Sequence, residues 1–147
     1  MMENAKTKFD TRGILLYGAW FVSLIATLGS LYFSEINGFI PCDLCWYQRI
    51  AMYPLALILG IATFRNDVKV FIYVLPLSLL GGTISLLHYL EQKVPGFGGI
   101  KPCVTGVPCS LEYINWMGFV TIPFLALIAF ALISILMLVL TVKNKRN

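Results

Sequence analysis

The chain reads as an all-α membrane protein, a four-transmembrane-helix bundle with two outward cysteine-bearing loops. Three observations predict this. Of 147 residues, 59% are hydrophobic and 12% are charged, far from the apolar and charged shares of ordinary soluble domains. The uncharged runs 13–33 and 113–142 contain 21 and 30 residues, and each can cross a hydrocarbon core of about 30 Å at about 1.5 Å per helical residue. The basic residues gather on alternate connections, as a chain that crosses a membrane repeatedly requires.

Residues 1–12 read as a short mixed-charge inner tail without apolar periodicity. The first helix, about 13–33, follows Lys6, Lys8 and Arg12 and could be taken for a secretory signal. Its apolar run exceeds the roughly 7–15 residues of a cleavable segment, and 26–30 offers no small-residue cleavage site. Ala19, Ser23 and Thr27 instead stand at four-residue spacing, a small-residue stripe that lets membrane helices approach closely. The second helix, about 45–64, contains Pro54, read mainly as a packing feature. Arg65-Asn66-Asp67 is a tight inner turn. The third helix, about 70–90, carries Pro76 and Gly81-Gly82 and brings His88, the only histidine, toward its outer end. Residues 93–112 form one long loop whose glycines and prolines leave no room for a helix. The fourth helix, about 113–142, contains Pro123 and ends in a basic tail. All of 1–147 is taken up by one such domain, with no stretch left for a soluble one.

Charge fixes the expected orientation. With the amino terminus inside, Lys6, Lys8, Arg12, Arg65, Lys69, Lys143, Lys145 and Arg146 lie inside, against Lys93 and Lys101 outside. Eight against two is the bias of a chain with both termini cytoplasmic. The net charge of +4 therefore follows the membrane and is no sign of nucleic-acid binding. All four cysteines fall on the outer side, where disulfides persist.

The chemistry is concentrated at Cys42-Asp43-Leu44-Cys45-Trp46-Tyr47-Gln48-Arg49. A helix starting near Cys42 would offer its positive dipole end to a thiolate, although Asp43 opposes this. Arg49 stands four residues after Cys45, on the same helical face, and Gln48 borders it. A cation this deep in an apolar run costs about 2.5–3.5 kcal/mol, which makes it a functional candidate, with an interfacial arginine reaching phosphate as the plain alternative. His88 has a similar pair of readings, an interfacial residue bonded to a carbonyl or a partner for a bound ligand. Cys103 and Cys109 enclose five residues with a glycine, enough to turn back to disulfide distance. Cysteines spaced C-x-x-C and C-x5-C on one membrane face admit a redox relay through mixed disulfides, a zinc-thiolate site, or two structural staples. No βαβ pattern surrounds the motif, so a soluble thioredoxin-like domain is excluded.

The string from Cys42 to Arg49 with Met52-Tyr53-Pro54 resembles the DsbB family of bacterial disulfide-bond formation proteins. His88-Tyr89-Leu90-Glu91-Gln92, Pro102-Cys103, Pro108-Cys109 and the stretch from Tyr113 to Pro123 are similar to its short Gram-positive branch, BdbC. The resemblance implies a quinone-dependent protein-thiol oxidase of the bacterial plasma membrane that supports disulfide formation in exported proteins. Its partner would be a thioredoxin-like extracytoplasmic thiol oxidase of the DsbA or BdbD kind, and its cofactor menaquinone or ubiquinone from the membrane pool, with no metal. It further implies redox-active disulfides Cys42-Cys45 and Cys103-Cys109. Cys45 would face the quinone beside Arg49, Gln48 and His88; Cys103 would engage the partner, and Cys109 would attack Cys42. Longer members separate the second pair by a membrane-lying segment that this chain lacks. A runner-up within the same chemistry is a thiol reductase running the other way, as in vitamin K epoxide reductase relatives.

Overall fold

The computed structural model describes residues 2–94, 96, 112 and 114–146, and side chains from residue 11 onward. Four helices run through it: α1 (Met2–Leu31), α2 (Asp43–Arg65), α3 (Phe71–Lys93) and α4 (Ile122–Lys145). Each is long and apolar enough to cross a membrane. Packing joins α1 to α2, α2 to α3, α3 to α4 and α4 back to α1, so the helices form a closed four-membered bundle. Among the described residues there is no strand, only an isolated bridge between Trp116 and Val120.

The boundaries depart from expectation at both termini. Residues 2–12 continue α1 instead of forming a tail. No proline or glycine interrupts them before Gly13, so good helix formers extend the turn already nucleated by the apolar run. At the far end, α4 starts at Ile122, not near 113. Thr121 is its N-cap and Pro123 lies in its first turn, the place where a missing N–H costs nothing. Ahead of it, Met117 and Gly118 both have positive φ and turn the chain so that Trp116 and Val120 pair. A π-helical turn, Tyr32–Ile36, ends α1. The turn at Arg65-Asn66-Asp67 forms as expected: Asn66 caps α2 at φ 50°, and the Asp67 carboxylate accepts from the Lys69 N–H at 3.0 Å.

Leu55, Leu59, Val74, Ile133, Met137 and Leu140 fill the centre of the bundle with no exposed surface. The small-residue stripe of α1 points inward, Ala19 and Ser23 being fully buried. Between α3 and α4 the approach is closer still. A Cβ at Gly81 would overlap the Phe130 ring, and Ser78 and Ser134 share a hydrogen bond of 2.9 Å across the interface. Phe64, Leu57, Ile72 and Ile14 point outward, as lipid-facing positions do when the solvent is hydrocarbon. Hydroxyls in this setting bond back to their own helix, as Thr63 does to Leu59 and Thr141 to Met137, because no water is there to serve them.

Candidate functional site

The site is built on the first two turns of α2. Cys42 is the N-cap, with extended backbone, and its carbonyl accepts from the Trp46 N–H at 3.1 Å. Cys45 follows one turn later. Their sulfurs lie 3.3 Å apart as free thiols, which is the dithiol form of a C-x-x-C pair. Cys42, just ahead of the span, is pushed down from an ordinary 9.0 to about 4: the Cys45 thiol bonding to it is the main cause, burial opposes, and a hydrogen bond from His88 helps.

The two cysteines face different surroundings. Cys45 lines a cavity of about 440 Å³ between α1, α2 and α4, together with Arg49, Gln48, Phe33, Phe39 and Ile122. Its wall is almost wholly hydrocarbon. Ile25, Ile128 and Leu132 line it while remaining exposed on the outer surface, so the cavity opens between α1 and α4 toward the lipid. The size falls within the roughly 300–1,000 Å³ of ligand pockets.

Arg49 provides the charge in this cavity. Its guanidinium donates to the Ser34 Oγ and to the Ser30 carbonyl, each at 3.3 Å, and lies 5.5 Å from the centre of the Trp46 ring. No described carboxylate pairs with it. Neutral oxygens and a π face hold it in place, and among the described residues no carboxylate cancels its charge beside Cys45. The two serines were not singled out by the sequence reading, yet the stripe of small residues on α1 runs on to them.

Cys42 looks the other way, toward α3. Its sulfur is 3.6 Å from His88 Nε2, and His88 Nδ1 is 2.9 Å from the Gln48 amide nitrogen. All three residues are buried, at 6%, 1% and 6% exposure for Cys42, His88 and Gln48. His88, which the resemblance puts near the quinone, does not line the cavity; α3 approaches α2 from the side away from α1, and Ile84 packs against the Cys42 and Leu44 cluster there. Gln48 touches both environments. The donor atoms of Cys42, Cys45 and His88 lie within 4.8 Å of one another, near enough to hold a soft metal ion while the pair is reduced.

Cys103 and Cys109 lie outside the described residues. What the structure describes is the neck of their loop. Lys93, at the end of α3, pairs with Glu112 at 2.9 Å and donates to the Gly118 carbonyl at 2.9 Å. This joins the C-terminal end of α3 to the turn preceding α4.

Comparison with known proteins agrees with this architecture. Residues 12–141 match the family model described as Disulfide bond formation protein DsbB. Over 129 residues the chain is 70% identical to Disulfide bond formation protein C of Bacillus subtilis (strain 168), covering 88% of this chain and 94% of that one. It is 55% identical over 130 residues to Probable disulfide formation protein C 1 of Bacillus anthracis, covering 88% and 93%. A Probable disulfide formation protein of Coxiella burnetii (strain CbuK_Q154) is 48% identical over 120 residues, covering 81% and 82%. No solved structure matches. With the family model spanning most of the chain, and a C-x-x-C pair at the mouth of a membrane helix, the chain belongs to the DsbB family of disulfide bond formation proteins.

Proposed function

We propose that this membrane disulfide oxidoreductase reoxidises a thioredoxin-like thiol oxidase outside the cell and passes the electrons to membrane quinone. The observation that carries the reading is the shared cavity, in which one redox sulfur, Cys45, and one cation, Arg49, that no described carboxylate pairs with, border an apolar space open to lipid. A quinone needs such a place. Its ring and tail suit hydrocarbon walls, and its oxygens, where negative charge develops on reduction, suit a guanidinium.

The residues act in order. A partner thiolate attacks Cys103 of the Cys103-Cys109 disulfide and frees Cys109 as a thiolate. Cys109 attacks Cys42, and Cys45 leaves as a thiolate beside Arg49. The second thiolate of the partner attacks the partner's own sulfur in the mixed disulfide, so the partner leaves oxidised and Cys103 is freed as a thiolate. Cys103 then attacks Cys109 within the joined pair, which restores the outer disulfide and releases Cys42 as a thiolate. When bound, a quinone supplies a two-electron, two-proton acceptor that departs as quinol. Cys42 and Cys45 give up the electron pair as their own disulfide closes. Arg49 would hold positive charge beside such an acceptor, and Gln48 offers polar atoms at the same wall. The charge bias of the connections supports an outward position for both pairs.

The test is oxidation of a reduced thioredoxin-like oxidase by purified protein in detergent, with and without ubiquinone or menaquinone. Thiol loss matched by quinol formation is expected. Net reduction of the partner by quinol would favour the reductase reading. The cluster of Cys42, Cys45 and His88 supports a second reading, a metal-thiolate centre. A strong chelator should leave the oxidation rate unchanged, and loss of activity with release of stoichiometric zinc would favour the metal.

A further inference from the structure

In the polar chain Gln48, His88, Cys42, the histidine has no part in the steps above, although it touches one of the reacting sulfurs. We infer that His88 works on Cys42 rather than on the quinone: its Nε2–H donates to the Cys42 sulfur and stabilises it as a thiolate, and Gln48 fixes the tautomer that makes this possible. The inference rests on the relay reading for the identity of the step, and on geometry for the rest.

The argument starts from the ring. The Gln48 amide nitrogen can only donate, so at 2.9 Å from Nδ1 it requires that nitrogen to accept. The neutral ring then carries its proton on Nε2. Nε2 lies 3.6 Å from the Cys42 sulfur, within reach of a long N–H···S bond. The site is buried, with His88 1% exposed. There a thiolate without a donor is costly, and one with a donor is held far more strongly than in water. The contacts also separate the two cysteines, since His88 is absent from the cavity that Cys45 lines.

The step served is the release of Cys42. A thiolate attacks the sulfur bonded to Cys42 in the mixed disulfide; a new S–S bond forms, the bond to Cys42 breaks, and its electron pair stays on Cys42 as a thiolate. The His88 N–H is in place to meet that charge as it develops, and it transfers no proton. The same contact keeps Cys42 ionised for closing the bond to Cys45, with the electrons passing onward. Gln48 is a positioning residue, and it links the ring to the cavity wall.

Because His88 is the only histidine, nitrogen-15 labelling of histidine gives one ring to observe. The reduced protein should show the Nε2–H tautomer, and Gln48→Leu should give a mixture. An Nδ1–H tautomer in the parent would overturn the inference. The second measurement uses a background with Cys45, Cys103 and Cys109 changed to serine and a small mixed disulfide on Cys42. His88→Leu should slow its reduction by a thiol about three- to tenfold, because roughly half of a charge-assisted bond is felt in the transition state. His88→Gln, which keeps an N–H, should recover part of the rate. Affinity for a quinone analogue, measured in the otherwise unaltered chain, should not change with His88→Leu. If that affinity falls while Cys42 release keeps its rate, the histidine belongs to the quinone and the inference is wrong. If the unaltered chain binds no quinone at all, the proposed function fails, while tautomer and release rate still decide the role of His88. Should His88→Leu fail to fold, the tautomer and Gln48→Leu decide it.

Discussion

The two flanks of the α2 amino terminus carry one cysteine each and share almost nothing else. On the α1 and α4 side, Cys45 meets an apolar cavity whose one charge, Arg49, is held by a serine hydroxyl, a carbonyl and an indole. On the α3 side, Cys42 meets a buried imidazole that is in turn bonded to a buried amide. Three residues of helix turn the side chain by about −60°, and this is enough to send the two sulfurs of one pair toward an apolar cavity on one side and a fixed polar network on the other. In the proposed relay, this division lets a single dithiol exchange with a protein through one sulfur and with a small molecule through the other.

The contrast breaks most completely at the sulfur that lines the cavity. Cys45→Ala should abolish quinol formation, while the outer pair still forms a mixed disulfide with the partner; residual quinol formation would mean that electrons leave by another route. Arg49→Ala should leave the fold intact and lower the rate of quinone use by about ten- to a hundredfold, from the roughly 1.5–3 kcal/mol of a charge-assisted contact. Rates measured across quinone concentrations would show this, and an unchanged rate would remove Arg49 from the site.

The Cys42 flank gives a smaller, pH-dependent signature. Its thiol is lowered to about 4, so the thiolate persists above that value and is lost as pH falls through it. Thiolate absorbance of the reduced protein should stay level from neutral pH down to about 5 and then drop. Cys45→Ala, which removes the main cause of the lowering, should shift that fall to higher pH. The smallest effect is expected at the loop neck. Lys93→Ala breaks a partly exposed pair with Glu112, worth about 0–1 kcal/mol, and should barely shift thermal unfolding, whatever it does to delivery from the outer pair.

Much of this site could be read along the chain, because its central relation lies within one helix. Cys45, Gln48 and Arg49 fall together through helical spacing, and the depth of His88 follows from antiparallel neighbours. Which flank each cysteine faces could not be read. That depends on the order of helices around the bundle, which puts α3 behind Cys42 and α1 and α4 before Cys45. The start of α4 was missed for a local reason: hydropathy runs unbroken through 113–142, and only Pro123 at the helix entrance, with positive φ at Met117 and Gly118, separates the turn from the helix. Ser30 and Ser34 escaped notice because a hydroxyl on a membrane helix looks like packing until an arginine is placed against it.

The central claim is that the Cys42-Cys45 pair, by itself, reduces quinone at the Arg49 cavity. Protein with Cys103 and Cys109 both changed to serine, reduced and freed of reductant, should convert one quinone to quinol per chain in a single turnover, and Arg49→Ala in that background should do so at least about tenfold more slowly. No quinol from the two-cysteine protein, with full activity in the unaltered chain, would contradict the account.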